Sequence, residues 1–126
     1  MNWLLVGSLC GGWAVALGSF GAHGLKKTAS PEQLHTFEVG CRYQMYHAFA
    51  MITCHFAKIS ANSVANRQNI DRAGYSFLFG TLLFSGSLYL LVMTGIKKLG
   101  AITPIGGTAF LIGWGFLSYA ALKSED

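Results

Sequence analysis

The stretch AGYSFLFGTLLFSGSLYLLVMTGI (Ala73–Ile96) holds no Asp, Glu, Lys or Arg, and its length decides the fold class. A helix rises 1.5 Å per residue, so about 20 apolar residues cross a hydrocarbon core of about 30 Å. Two further charge-free apolar runs of this kind flank it, Met1–Ala22 and Leu99–Leu122. The chain of 126 residues is 52% hydrophobic and only 11% charged, against about 25% charged in water-soluble domains. An all-α membrane protein is expected, folded as one domain over 1–126: a four-transmembrane-helix bundle with helices at about 2–23, 31–58, 72–95 and 104–122.

Helix boundaries follow from local chemistry. Ser30-Pro31-Glu32-Gln33 pairs an N-cap serine with proline at the first helical position and glutamine at the reciprocal capping site, which starts the second helix. That helix is too long for the hydrocarbon alone, so its first turns are expected in the interface, with Lys58 extending its ammonium to the opposite surface. The polar segment Ile59–Arg72 reads as the longest loop, with Asn69 or Asp71 capping the third helix. Lys97 and Lys98 mark that helix's exit, Thr103-Pro104 opens the fourth, and Lys123, Ser124, Glu125 and Asp126 form a polar tail.

A net charge of +4 looks basic, but nine Lys and Arg spread over short loops are what membrane flanks carry. Nucleic-acid binding is not expected, because the aromatic residues lie inside the apolar runs rather than among basic ones. Cys10, Cys41 and Cys54 form no CxxC pair and read as small apolar fillers, so neither a disulfide framework nor a metal site is expected. Trp3–Leu17 with Ala14-Val15-Ala16 superficially resembles a signal peptide. The basic leader is missing and the apolar stretch continues to Ala22, so the segment is expected to stay as a spanning helix. Flanking cations tie, Lys58, Arg67, Arg72 and Lys123 against Lys26, Lys27, Lys97 and Lys98, and the positive-inside rule sets no orientation.

Small residues recur through the spans. Gly7, Gly11 and Gly18 in the first helix, Gly86 in the third and Gly106 in the fourth are expected at helix contacts, since close packing drives association in lipid. Trp3, Tyr75 and Tyr119 fall near span ends, where aromatic anchors belong; Trp13 and Trp114 fall near helix centres.

The second helix alone holds ionisable groups within or close to the membrane. His35, Glu38 and Arg42 recur at i, i+3 and i+7, with Glu38 and Arg42 at ion-pair spacing. His23, at the glycine-rich end of the first helix, should lie level with them if the two helices are antiparallel neighbours. A polar cluster of His23, His35, Glu38 and Arg42 is therefore expected. Another stripe runs through Thr36, Gly40, Tyr43, Gln44 and His47, of which Gln44 and His47 are expected to hydrogen-bond across helices. No HExxH, Walker loop, GxSxG or facing histidine pair occurs, so catalytic residues, metal, haem and other cofactors are not expected.

Four segments together resemble one family: Gly18-Ser19-Phe20-Gly21-Ala22-His23-Gly24-Leu25-Lys26, Arg42-Tyr43-Gln44-Met45-Tyr46-His47-Ala48, Phe84-Ser85-Gly86-Ser87-Leu88-Tyr89 and Thr103-Pro104-Ile105-Gly106-Gly107. The family is that of the domain of unknown function 423, with bacterial YgdD-like inner-membrane proteins and the eukaryotic transmembrane protein 256 group. Ser19 stands where that motif has Ala. The resemblance implies a four-span protein of the bacterial plasma membrane or the mitochondrial inner membrane. It brings no activity, cofactor or catalytic residue. The expectation is a non-enzymatic accessory or structural component, partnered by lipid and by other membrane subunits or itself. Two alternatives are a transporter or channel using the polar face of the second helix, and a lipid or quinone binder beside it.

Overall fold

A computed structural model describes residues 1–124; Glu125 and Asp126 of the polar tail lie outside the described residues. It contains four long helices, α1 (Trp3–His23), α2 (Pro31–Ile59), α3 (Val64–Thr94) and α4 (Thr103–Lys123), with 3-10 turns at Leu25–Lys27 and Lys97–Ala101. No strand occurs among the described residues. Three helical segments, Trp3–Lys27, Val64–Thr94 and Lys97–Lys123, are long and apolar enough to cross a membrane.

Each helix start has a visible cause. Asn2 accepts from the Leu5 amide at 3.1 Å, satisfying an orphan donor of α1. Ser30 and Gln33 close a reciprocal box, with Gln33 N donating to Ser30 Oγ at 3.1 Å and Ser30 N to Gln33 Oε1 at 2.8 Å. The third helix departs from its sequence expectation. It is capped by Ser63 rather than Asn69 or Asp71 and begins at Val64, so most of the presumed loop is helical.

Tertiary bonds explain this early start. Asp71 Oδ1 accepts from Trp3 Nε1 at 2.8 Å and pairs with Lys58 Nζ at 2.8 Å, while Asn66 Nδ2 donates to the Ala120 carbonyl at 3.0 Å. Polar side chains that read as loop thus fasten the first turns of α3 to α1, α2 and α4. Trp3 is likewise no interface anchor. It is fully buried, its indole lying against Gly74, where a Cβ would collide with the ring. Thr103 does not cap α4; it occupies the first turn, and its hydroxyl meets Ser87 Oγ at 2.6 Å. At the other end of α3, Gly95 takes φ 72°, the left-handed conformation that glycine adopts without a Cβ clash and that commonly ends a helix.

Closest packing runs in chain order, α1 on α2, α2 on α3 and α3 on α4. The core gathers Trp3, Met51, Cys54, Ile70, Phe77 and Phe110 between these layers. Glycines set the approach. A Cβ at Gly7 would lie 2.7 Å from the Ala48 carbonyl oxygen, and one at Gly106 would run into the Phe84 backbone. Gly80 and Gly113 make room for the rings of Phe110 and Phe77 in the same way. Gly11 makes ordinary contact with Ala48 and Met45, whereas Gly18 and Gly86 face open space within 4 Å and hold no helix close.

Candidate functional site: the two polar faces of α2

Antiparallel packing on both sides makes α2 the helix on which polar groups converge. Gly21 meets Phe37 and Gly7 meets Ala48, so α1 lies along α2 for nearly its whole length. Against α3, Gly40 receives the Tyr89 ring and His47 lies 5.6 Å from Phe77, centroid to centroid.

The inner face carries a continuous set of hydrogen bonds between helices. Gln44 is buried; its Nε2 donates to the Cys10 carbonyl of α1 at 2.8 Å, and its Oε1 accepts from the Tyr89 hydroxyl of α3 at 2.7 Å. One turn earlier, Ser85 Oγ of α3 donates to the Gly40 carbonyl at 2.6 Å. The missing side chain at Gly40 is what admits the Tyr89 ring. Gln44 thereby ties three helices through a single amide, using both its donor and its acceptor.

One turn later His47 is buried and stacked on Phe110 of α4, with centroids 3.5 Å apart and planes 6° from parallel. Trp114 Nε1 of α4 donates to His47 Nε2 at 3.1 Å, and His47 Nδ1 lies 2.7 Å from the Tyr43 carbonyl. Indole nitrogen is a donor only, so Nε2 carries the lone pair and Nδ1 the proton, which it donates to the carbonyl. The geometry therefore specifies a neutral imidazole in the Nδ1–H tautomer. Around it, Tyr43, Tyr46, Phe84, Phe110 and Trp114 line a cleft of about 560 Å³ between α2 and α4.

The outer face is different. Arg42 Nη2 donates to Glu38 Oε1 within α2 itself, and both side chains are exposed. His35 and Glu38 line a cleft of about 390 Å³ with Lys26, Gly18 and Gly21. His23 is exposed at the end of α1 and is not among the residues lining it. The expected four-residue cluster is thus drawn together only in part: Glu38 and Arg42 bond, His35 shares their side of α2, and His23 stays apart. Among the described residues no three His, Cys, Asp or Glu come together as a metal ion would need.

Tyr89, Ser85, Trp114, Asp71 and Asn66 take part in cross-helix bonds that sequence reading did not assign. Their partners lie far along the chain, so no local spacing pairs them. Gln44 and His47 were visible because a polar stripe at helical spacing on a membrane helix must be satisfied somewhere.

Taken together, an all-helical chain with three apolar spans and its polar side chains bonded from helix to helix defines an integral membrane protein. Residues 17–107 match the family described as a protein of unknown function (DUF423), and the chain belongs to that family. It is 43% identical over 120 residues to a UPF0382 membrane protein of Staphylococcus aureus (strain bovine RF122 / ET3-1), covering 95% of this chain and 94% of that one. It is 40% identical to the UPF0382 membrane protein YwdK of Bacillus subtilis (strain 168), covering 95% of each. Identity to a UPF0382 membrane protein of Haemophilus influenzae is 41%, over 99% of this chain and 97% of the relative. No solved structure matches it.

Proposed function

We propose that the chain is a four-span, non-enzymatic component of a bacterial plasma-membrane assembly, held beside other membrane subunits or further copies of itself. The observation that carries this reading is the contrast across α2. Inner polar groups are consumed by bonds among α1, α2, α3 and α4, which leaves them as structural ties rather than reactive groups. Charged groups on the outer face are exposed, where lipid is a poor neighbour and protein a good one. The fourth crossing is α2 itself, because a helix packed antiparallel along both α1 and α3 shares their depth, and its 29 residues reach about 43 Å. The named relatives are bacterial membrane proteins, which favours the plasma membrane as its place.

Extraction of the tagged chain from its native membrane in mild detergent tests this reading. A complex larger than one chain on native gels, with stoichiometric partners or copies, is expected; a lone monomer overturns it. The aromatic cleft around His47 favours a second reading, lipid or quinone binding, because its walls are ring faces at the level of the helix midpoints. Mass spectrometry of the purified protein tests it, with retention of a specific lipid or quinone lost in Phe110→Ala as the expected result.

A further inference from the structure

Gly18 is spaced for a helix contact and meets none, because a cleft of about 390 Å³ opens beside it. One wall belongs to the end of α1 and the turn after it, with Gly18, Gly21, Ala22 and Lys26. The other belongs to the start of α2, with Leu34, His35, Phe37, Glu38 and Cys41. Its mouth is open, since Ala22, Lys26 and His35 are all exposed.

The depth of this cleft follows from helix register. Gly7 on Ala48 and Gly21 on Phe37 align α1 with α2, which puts Trp13, the midpoint of α1, near the level of Met45. Counted from there at 1.5 Å per residue, Cys41 lies about 6 Å along the axis and Pro31 about 21 Å. The cleft therefore crosses the edge of a hydrocarbon half-thickness of about 15 Å close to His35. Its deep part is apolar apart from Glu38, which Arg42 already engages; its shallow part carries Lys26 and His35. The lining thus changes character where the bilayer does.

Charge completes the pattern. Neither the Lys26 ammonium nor the His35 ring has a hydrogen-bond or ion-pair partner among the described residues. Arg42 matches the charge of Glu38 within α2, so Lys26 leaves the cleft with one positive charge in excess. Ammonium and imidazole N–H groups are donors, which an anionic oxygen accepts. A single negative charge at headgroup level, joined to an apolar body that reaches inward, is the form of an anionic phospholipid. A zwitterionic headgroup brings no net charge to match.

We infer that the cleft holds one anionic phospholipid, its phosphodiester between Lys26 and His35 and an acyl chain lying on Gly18 and Gly21 against Phe37. Basic residues attract anionic lipid at any bilayer surface, and the recess beneath Lys26 is what turns attraction into a site. The inference is independent of the assembly reading. Its cleft is also separate from the aromatic one around His47, with which it shares no lining residue.

The test titrates the purified full chain in mild detergent with phosphatidylglycerol, phosphatidylcholine and inorganic phosphate, and reads bound lipid by native mass spectrometry. One phosphatidylglycerol is expected to bind, more tightly than phosphatidylcholine and undisplaced by inorganic phosphate. Lys26→Gln should weaken it about fivefold, the worth of one basic residue at a bilayer surface. Lys27→Gln should not, since Lys27 is the next cation along the chain and lies outside the cleft. Gly18→Leu should abolish retention while melting with the wild type, because nothing stands within 4 Å of the added carbon. If it melts low, Ala22→Leu fills the cleft from an exposed position and is read in its place. Equal weakening by Lys26→Gln and Lys27→Gln means diffuse charge and overturns the site. So does lipid that survives filling of the cleft. Lipid lost in Phe110→Ala alone overturns it too and supports the reading of the aromatic cleft instead. Inorganic phosphate bound in place of lipid overturns the lipid and leaves an anion site.

Discussion

On its inner side α2 presents Gly40, Gln44 and His47, and each is met by a neighbouring helix: Ser85 and Tyr89 at the first, Cys10 and Tyr89 at the second, Phe110 and Trp114 at the third. On its outer side His35, Glu38 and Arg42 make no hydrogen bond or ion pair to another helix among the described residues, and the only pairing is internal. Both faces are polar, both run along the same helix, and a helical wheel treats them alike. What separates them is whether a groove on the neighbour receives the side chain. Polarity within a membrane helix therefore has two readings, a tie within the protein or a surface for something outside it. Pairing distinguishes them where residue type does not.

The sharpest way to break the inner face is to fill it. A Cβ at Gly40 would stand 2.7 Å from Tyr89 Cε1, so Gly40→Leu drives the ring out of its seat, separating Tyr89 from Gln44 and Ser85 from the Gly40 carbonyl. Overpacking of a tight contact costs about 3 kcal/mol, before the lost hydrogen bonds are counted. Little folded protein is expected in the membrane fraction, and what remains should melt far below the wild type in detergent. A melting temperature near the wild type would mean that this contact is looser than the glycine implies.

Next in size is Gln44→Leu, which keeps bulk and removes both interhelical bonds of the amide. Bonds of this type contribute about 0.6–2 kcal/mol each in membrane proteins, so a loss of about 1–3 kcal/mol is expected by chemical or thermal unfolding. Gln44→Leu combined with Tyr89→Phe should cost less than the sum of the two changes, because the second removes the hydroxyl that the first leaves unpaired. Strict additivity would deny that the two side chains are coupled.

Trp114→Phe is a smaller probe, deleting only the indole donor to His47 Nε2 while leaving the Phe110 stack to hold the imidazole. A loss of about 0.6 kcal/mol is expected. The more telling readout is nitrogen NMR of the imidazole. Wild type should show the Nδ1–H tautomer alone, and the variant should show both, since nothing then reserves the Nε2 lone pair.

Much of this architecture was legible from residues, for identifiable reasons. Charge-free runs mark α1 and α4, and the Ser30-Pro31-Gln33 box marks the start of α2, because these signals are local. Residues 64–71 misled because their polarity is the mark of a loop when a helix end stands alone. Here Trp3, Lys58 and Ala120, distant in sequence, engage Asp71 and Asn66 and extend α3 backwards. Trp3 misled for the same reason: a tryptophan near a span end belongs at the interface unless a Gly74 opposite opens the core to it. Glycine spacing indicated close helices without saying which glycines. Gly7 and Gly106 stand against backbone, while Gly18 and Gly86, equally well spaced, meet open space. At the site, Gln44 and His47 stood out as polar stripes, but Tyr89 and Trp114 looked like ordinary membrane aromatics until their partners were visible.

The outer face supplies the smallest expected effect, and for that reason the cleanest discrimination. Glu38→Gln together with Arg42→Gln removes both charges and leaves a neutral amide at each position, while every inner bond of α2 is untouched. If the pair serves only within its own helix, its exposure means that little of the fold depends on it, since exposed i,i+4 pairs contribute marginally. The isolated chain in detergent should then melt at the wild-type temperature. In the membrane the same double variant should lose association with the neighbouring subunits or copies of the proposed assembly, because the exposed face then offers them no charge. A large drop in melting temperature for the isolated chain would place Glu38 and Arg42 with Gln44 as internal ties and erase the contrast between the two faces. An unchanged melt joined to lost association would fix the division of labour on α2: one side holds the chain together, the other holds it to its neighbours in the assembly.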